Sequence, residues 1–150
     1  MKTIIGLGQA GCNIAEKFKK HPQYKVYKID VGLENEANSY ALERQESPEL
    51  YESKCPNLKT FFKEVSNDVL FITSSGDVSG ASLRILEQLK KKTIVSVLYI
   101  KPDLSLLPEI KNLQENLVFR VLQEYARSAV FEKIYLVDNM LLTDNRRCSN

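Results

Sequence analysis

Ile4-Ile5-Gly6-Leu7-Gly8-Gln9-Ala10-Gly11-Cys12-Asn13-Ile14, near the head of the chain, governs the reading of everything after it. An apolar run passes through glycines spaced G-x-G-x-x-G into a helical pattern, the form of a strand, a tight turn and a helix. Such a helix start presents free backbone N–H groups and the positive end of its dipole, and both favour phosphate. A second junction of this kind follows at Val69-Leu70-Phe71-Ile72-Thr73-Ser74-Ser75-Gly76-Asp77-Val78-Ser79-Gly80-Ala81-Ser82. One glycine loop is common and ambiguous. Two in one small domain predict a nucleotide held between two helix N-termini.

Working outward, strand and helix patterns alternate along the whole chain. Strands are predicted over residues 3–7, 25–30, 68–73, 93–100 and 133–137, those at 68–73 and 93–100 as apolar runs of the fully buried kind. Helices are predicted over 11–20, 34–43, 58–65, 79–91 and, beginning near Pro108, to about residue 130. The polar segment 44–56 leaves room only for a short third strand. This alternation predicts an α/β fold: a doubly wound, mainly parallel, Rossmann-like sheet with helices on both faces, in one domain over residues 1–150. Ligands of such sheets bind at the carboxyl ends of the strands, where both glycine loops fall.

Composition narrows the classes. A net charge of +2 implies no strong field for nucleic acid or a membrane surface. Cys12, Cys55 and Cys148 are widely separated and form no C-x-x-C pair, so neither a disulfide framework nor a zinc site is supported. No apolar run approaches the roughly 18 residues of a membrane span and no signal-peptide pattern is present, so a cytoplasmic protein is expected. Lys90-Lys91-Lys92 and His21-Pro22 read as helix ends. Cys12, just after the first loop, reads as a small packed thiol, and Gly11 as a point where a side chain would crowd both a phosphate and the adjoining strand.

The first loop by itself also suits a dinucleotide. Asp30 ends the second strand at about the 20-residue spacing at which an acidic side chain takes the ribose hydroxyls of NAD, so an NAD(P) or FAD module is a rival reading. A P-loop is excluded, because no G-x-x-x-x-G-K-[ST] occurs. The second loop, from Ser74 to Ser82, favours the mononucleotide reading, since a dinucleotide domain needs only one pyrophosphate cradle.

Gly8-Gln9-Ala10-Gly11-Cys12-Asn13-Ile14 resembles the first nucleotide loop of the tubulin/FtsZ family, with the Gly-Gln-x-Gly opening of tubulins. Gly76-Asp77-Val78-Ser79-Gly80-Ala81-Ser82 stands where that family has its Gly-Gly-Gly-Thr-Gly-Thr/Ser-Gly signature. Lys101-Pro102 resembles the Lys-Pro of bacterial FtsZ, and Val137-Asp138-Asn139 the Asp-Asn that opens the tubulin central helix. The resemblance implies a GTP/GDP-binding domain with a filament-related, cytoskeletal role. It assigns the α/β-phosphates to Gly8, Gln9, Ala10, Gly11 and Cys12, with Gln9 near Mg²⁺. It assigns the β/γ-phosphates to Ser75, Gly76, Asp77, Val78, Ser79 and Gly80. Asp30 would approach the ribose or, through water, Mg²⁺, and Asn13 and Asn139 would read guanine, whose edge needs a group that both donates and accepts.

The departures from the family are also informative. Asp77 and Val78 replace two signature glycines, so Asp77 either ligates Mg²⁺ or repels the phosphates. No glycine lies between Gly32 and Gly76, which shortens or removes the loop that senses the γ-phosphate. The family's central helix, catalytic acidic loop and second domain do not fit within residues 1–150, so nucleotide binding with little or no hydrolysis is expected. A non-hydrolysing structural relative that self-assembles or binds a protein partner is the remaining alternative.

Overall fold

The computed structural model describes residues 2–34, 36–65, 68–90, 93–101 and 133–138. Within these, six strands form one sheet: β1 (Lys2–Leu7), β2 (Tyr24–Val31), β3 (Ser39–Leu42), β4 (Asp68–Ser74), β5 (Ile94–Lys101) and β6 (Lys133–Asp138). Their order is β3-β2-β1-β4-β5-β6, and every neighbouring pair is parallel. The described α-helices are α1 (Gly8–Lys17), α2 (Pro48–Ser53) and α3 (Ser82–Lys90), with 3₁₀ turns at Phe18–Lys20 and Asp77–Ala81. The winding reverses between β1 and β4, so the connections leaving those strands diverge and open a crevice at their carboxyl ends.

Alternation along each strand sorts its side chains between two cores. Ile5, Leu7, Tyr27, Ile29, Val69, Phe71, Val95, Val97 and Tyr99 face one side, with Ile85, Leu86 and Leu89 of α3 and Tyr51 of α2. Ile4, Val26, Ile72 and Ile100 face the other, with Ala15 of α1 and the partly buried Ile14 and Phe18. Helices therefore cover both faces, as the β-α alternation predicts. The backbone of α1 lies unusually close to the sheet. A Cβ on Gly6 would stand 2.5 Å from the Gly11 carbonyl oxygen, and one on Gly11 would stand 2.5 Å from that of Ile72. Lys28 Nζ then ties α1 to β2 through Glu16 Oε2 at 3.0 Å.

Two predicted helices are not helices. Residues 34–43, with three Glu and two Ala, contain β3, whose Ser39–Leu42 pair in register with Lys28–Val31 of β2. Closing the ladder on the edge of β2 outweighs a weak local helix propensity. In 58–65 the spacing places burial correctly, since Leu58, Phe62 and Val65 are all buried. Its backbone nevertheless forms turns: the Leu58 N–H donates to Gln88 Oε1 at 2.7 Å and that of Lys63 to the Thr60 carbonyl at 3.2 Å. The third strand thus precedes the segment 44–56, which contains α2. Ser47 starts α2 by accepting the Leu50 N–H on its hydroxyl at 3.3 Å, with Pro48 in the first turn. The helix predicted from Pro108 to about residue 130 lies outside the described residues. Among the described residues no helix is long and apolar enough to cross a membrane.

The packing predicts opposite outcomes for two glycines. Gly11→Ala should lose at least about 1 kcal/mol in chemical denaturation, because crowding a backbone carbonyl outweighs the ~1 kcal/mol that Ala gains in a helix. Gly76→Ala meets nothing within 4 Å and should leave the unfolding midpoint where it is. Equal midpoints for Gly11→Ala and the parent protein would contradict this account of how α1 is seated.

Candidate functional site

Both loops open on one cleft at the carboxyl ends of β1 and β4. The chain leaves β1 through Leu7 in extended conformation and turns at Gly8 with φ +77°, a left-handed value that a side chain rarely adopts. The first turn of α1 follows without an acidic residue and without a side-chain cap on its N–H groups. Those donors would otherwise be satisfied by capping, so the helix start retains its capacity for an anion. Across the cleft, Ser74 ends β4, Gly76 leads the 3₁₀ turn, and Ser79 donates its N–H (2.9 Å) and its hydroxyl (2.5 Å) to the Gly76 carbonyl. The second loop is thereby closed on itself. Its serine hydroxyl proton already has an acceptor.

The cleft has a volume of about 670 Å³, within the usual range for a small-molecule site. Of the residues expected there, Gly8, Gln9, Ala10, Asp30, Gly76, Asp77, Val78 and Ser79 line it. Five others lie elsewhere. Gly11 is packed on Ile72, and Gly80 brings its backbone against that of Pro48 at the start of α2, so both serve close packing. Cys12 is buried beneath the loop, its Sγ 3.4 Å from the Gly6 carbonyl and 3.5 Å from that of Ile29. Asn13 is exposed one helical turn beyond Ala10, and Ser75 is half-buried; neither is among the residues lining the cleft. Asn139, expected at the guanine edge, lies outside the described residues.

Three polar residues join the cleft without having been expected: Arg44, Gln45 and Tyr51. They arrive with β3 and α2, in the part of the chain whose elements the helical pattern misassigns. Gln45 and Tyr51 also line a smaller cavity of about 210 Å³ next to the cleft, between β3 and the end of α2. A sequence signal for Arg44 does exist. It is the only Lys or Arg between Lys28 and Lys54, in a stretch otherwise rich in Glu.

Electrostatically the cleft holds two carboxylates, Asp30 and Asp77, and one guanidinium among its described residues. Burial pushes the Asp30 pKa upward, opposed by the Val31 N–H on its Oδ1 at 2.8 Å and by the charge of Arg44. Burial, and secondarily the Asp30 charge, push the Cys12 thiol up to about 11. A thiol so placed is a packed group and not a nucleophile. Among the described residues no group of three or more His, Cys, Asp or Glu could hold a metal ion. No family model matches the chain, and no curated protein matches it.

Two measurements follow from these environments. Cys12 is buried and its thiol is held protonated by that burial, so a maleimide should label Cys55 in the folded protein and reach Cys12 only on unfolding. Rapid native labelling of Cys12 would contradict its burial. For Asp30 the folded pKa is raised above the unfolded one, so the carboxyl favours folding at low pH, and this contribution is lost as pH rises through the folded pKa. Asp30→Asn keeps an acceptor for Val31 and should therefore be more stable than the parent at pH 7. The advantage should narrow as pH falls toward about 4, and a constant difference across that range would remove burial as its cause.

Proposed function

We propose that this chain is a nucleotide-binding domain whose ligand is a guanine nucleotide, in a divergent relative of the tubulin/FtsZ family. The observation that carries the nucleotide part is the meeting of two loops on one cleft: the uncapped start of α1 and the turn after β4. Phosphates would rest on the N–H groups of Gly8, Gln9 and Ala10, with the turn at Gly76 to Ser79 opposite. The guanine part rests on the resemblance, through Gly8 to Ile14 and through Asn139. GTP or GDP would bind with Mg²⁺ brought by the phosphates, and Asp30 and Asp77 would face the metal through water. Little or no turnover is expected, since the resemblance places the family's water-orienting acidic loop outside these residues and positioning carries most phosphoryl transfer. A filament-related role belongs to the same proposal.

One observation favours a second reading. Asp30 lines the same cleft from the end of β2, where an acidic residue would hold the ribose of a dinucleotide. The strand order is likewise common to dinucleotide domains.

The deciding experiment is thermal unfolding with Mg²⁺ and, in turn, GTP, GDP, NAD, NADP and FAD. A ligand present at a hundredfold its Kd should add about 2.7 kcal/mol of stability. GTP and GDP should stabilise the protein and the dinucleotides should not. A shift with NAD or FAD and none with GTP would transfer the site to the dinucleotide reading. No shift with any of them would leave the structural relative that binds a protein partner.

A further inference from the structure

We propose that the free edge of β3, with the two cavities beside it, is a docking site for an extended acidic peptide that adds to the sheet as a further strand. The inference does not depend on the nucleotide reading. β3 ends the sheet order, so one side of its backbone faces no other strand. Lys28 of β2 donates its N–H to the Asn38 carbonyl at 2.8 Å, with Ser39 opposite Lys28 and Ala41 opposite Asp30. In a parallel ladder of this register, Tyr40 turns its N–H and C=O toward β2 and Ala41 turns its own outward. Ala41 is exposed, and neither of those groups has a partner among the described residues. Such an edge is a template for another strand.

The edge is not flat. The cavity of about 210 Å³ is lined by all of residues 40–43 and, across from them, by residues 54–56 after α2. Successive strand residues point to opposite faces, so a cavity that reaches four in a row follows the backbone. It shares Cys55 and Pro56 with a further cavity of about 300 Å³, which extends the groove past the strand. A space of about 150 Å³ takes a benzene-sized molecule, so the first cavity has room for one side chain. Tyr51, among its walls, is 5% exposed, and its hydroxyl has no hydrogen-bond partner among the described residues. Buried hydroxyls are normally satisfied, so this one is completed by what fills the cavity. Charge then selects the partner. Lys54 lines the first cavity and Lys59 the second; both are exposed, and neither forms an ion pair with a described residue. Glu43 is the one carboxylate among the described residues lining either cavity. Two unpaired ammonium groups against one carboxylate favour an acidic chain. A second copy of this protein would bring the same excess of positive charge to the interface.

The test is fluorescence anisotropy of the whole chain with labelled synthetic hexapeptides that alternate Glu with Val, Leu, Thr or Tyr, and with the same peptides carrying Lys in place of Glu. At least one acidic peptide should bind with a Kd below about 1 mM, and its Lys counterpart at least about tenfold more weakly. Methylating its backbone nitrogens keeps the charge, removes the N–H donors and should abolish binding. Ala41→Pro removes the outward N–H, a change that an edge strand tolerates, and should abolish binding too, whereas Ala41→Val should bind as the parent does. Lys54→Glu combined with Lys59→Glu should weaken binding about tenfold or more, since each exposed ion pair is worth a few-fold. Thermal unfolding of the peptide-free variants should match the parent; if Ala41→Pro unfolds, the methylated peptide decides on strand addition. No acidic peptide bound at about 1 mM, binding that survives methylation, or equal binding of the Lys peptides overturns the proposal. A parent chain that sediments as a dimer, with Ala41→Pro a folded monomer, overturns it as well, because the edge then belongs to a second copy. Each of these results leaves the nucleotide reading as it stands.

Discussion

The backbone contact between α1 and the sheet underlies the rest of the molecule. Gly6 lies under the Gly11 carbonyl, and Gly11 lies over that of Ile72, so three main-chain segments meet with no side chain between them. A helix held off by ordinary side chains would be displaced from the carboxyl end of β1 by the width of a methyl group or more. Here it starts directly at that end, on the line where the strand order reverses. The same contact leaves a small pocket under the loop, which the Cys12 thiol fills. The apolar cores on the two faces supply most of the stabilisation. The glycine stack determines where the helix N-terminus lies relative to them.

A second close approach works at the other wall of the cleft. Gly80, in the 3₁₀ turn after β4, touches the backbone of Pro48, and so the second loop and α2 position each other. Because α2 follows directly from β3, that contact also places Arg44, Gln45 and Tyr51 against the cleft. The cleft is therefore built less by glycines approaching a ligand than by glycines letting elements approach each other. Of the glycines in the two loops, Gly8, with its left-handed φ, and Gly76 leave the space above them open.

This explains which parts were legible in the sequence. β1, β4 and β5 announce themselves because their central residues are buried on both faces and mostly apolar. β3 does not, since it is a short edge strand with only Leu42 fully buried, and its pairing with β2 is a tertiary fact. In 58–65 the spacing of Leu58, Phe62 and Val65 reports burial, which helices and successive turns produce alike. For the site, the sequence indicated that glycines were required but not what approaches them. Gly11 and Gly80 look like phosphate-contacting positions in sequence, and only the three-dimensional neighbours, Ile72 and Pro48, show the approaching group to be protein. Arg44 was overlooked for a related reason: a lone cation in an acidic stretch has no meaning until β3 carries it to the cleft.

The direction in which a ligand leaves α1 separates the two nucleotide readings. A dinucleotide anchored at Gly8 would send its adenosine half over β2, with Asp30 accepting from the ribose hydroxyls, and would leave the turn at Gly76 to Ser79 with little to hold. A mononucleotide would engage both loops through its phosphates and bring charge close to Asp30. Asp30 is costly in either case, since burial works against its ionised form and its only described hydrogen-bond donor is the Val31 N–H. A buried carboxylate that is disfavoured in the empty fold is a candidate for contact with a ligand. Under the proposed function the carboxylate would gain a partner when hydroxyls or a phosphate-bound cation arrive, and the binding energy would then offset the cost of its burial.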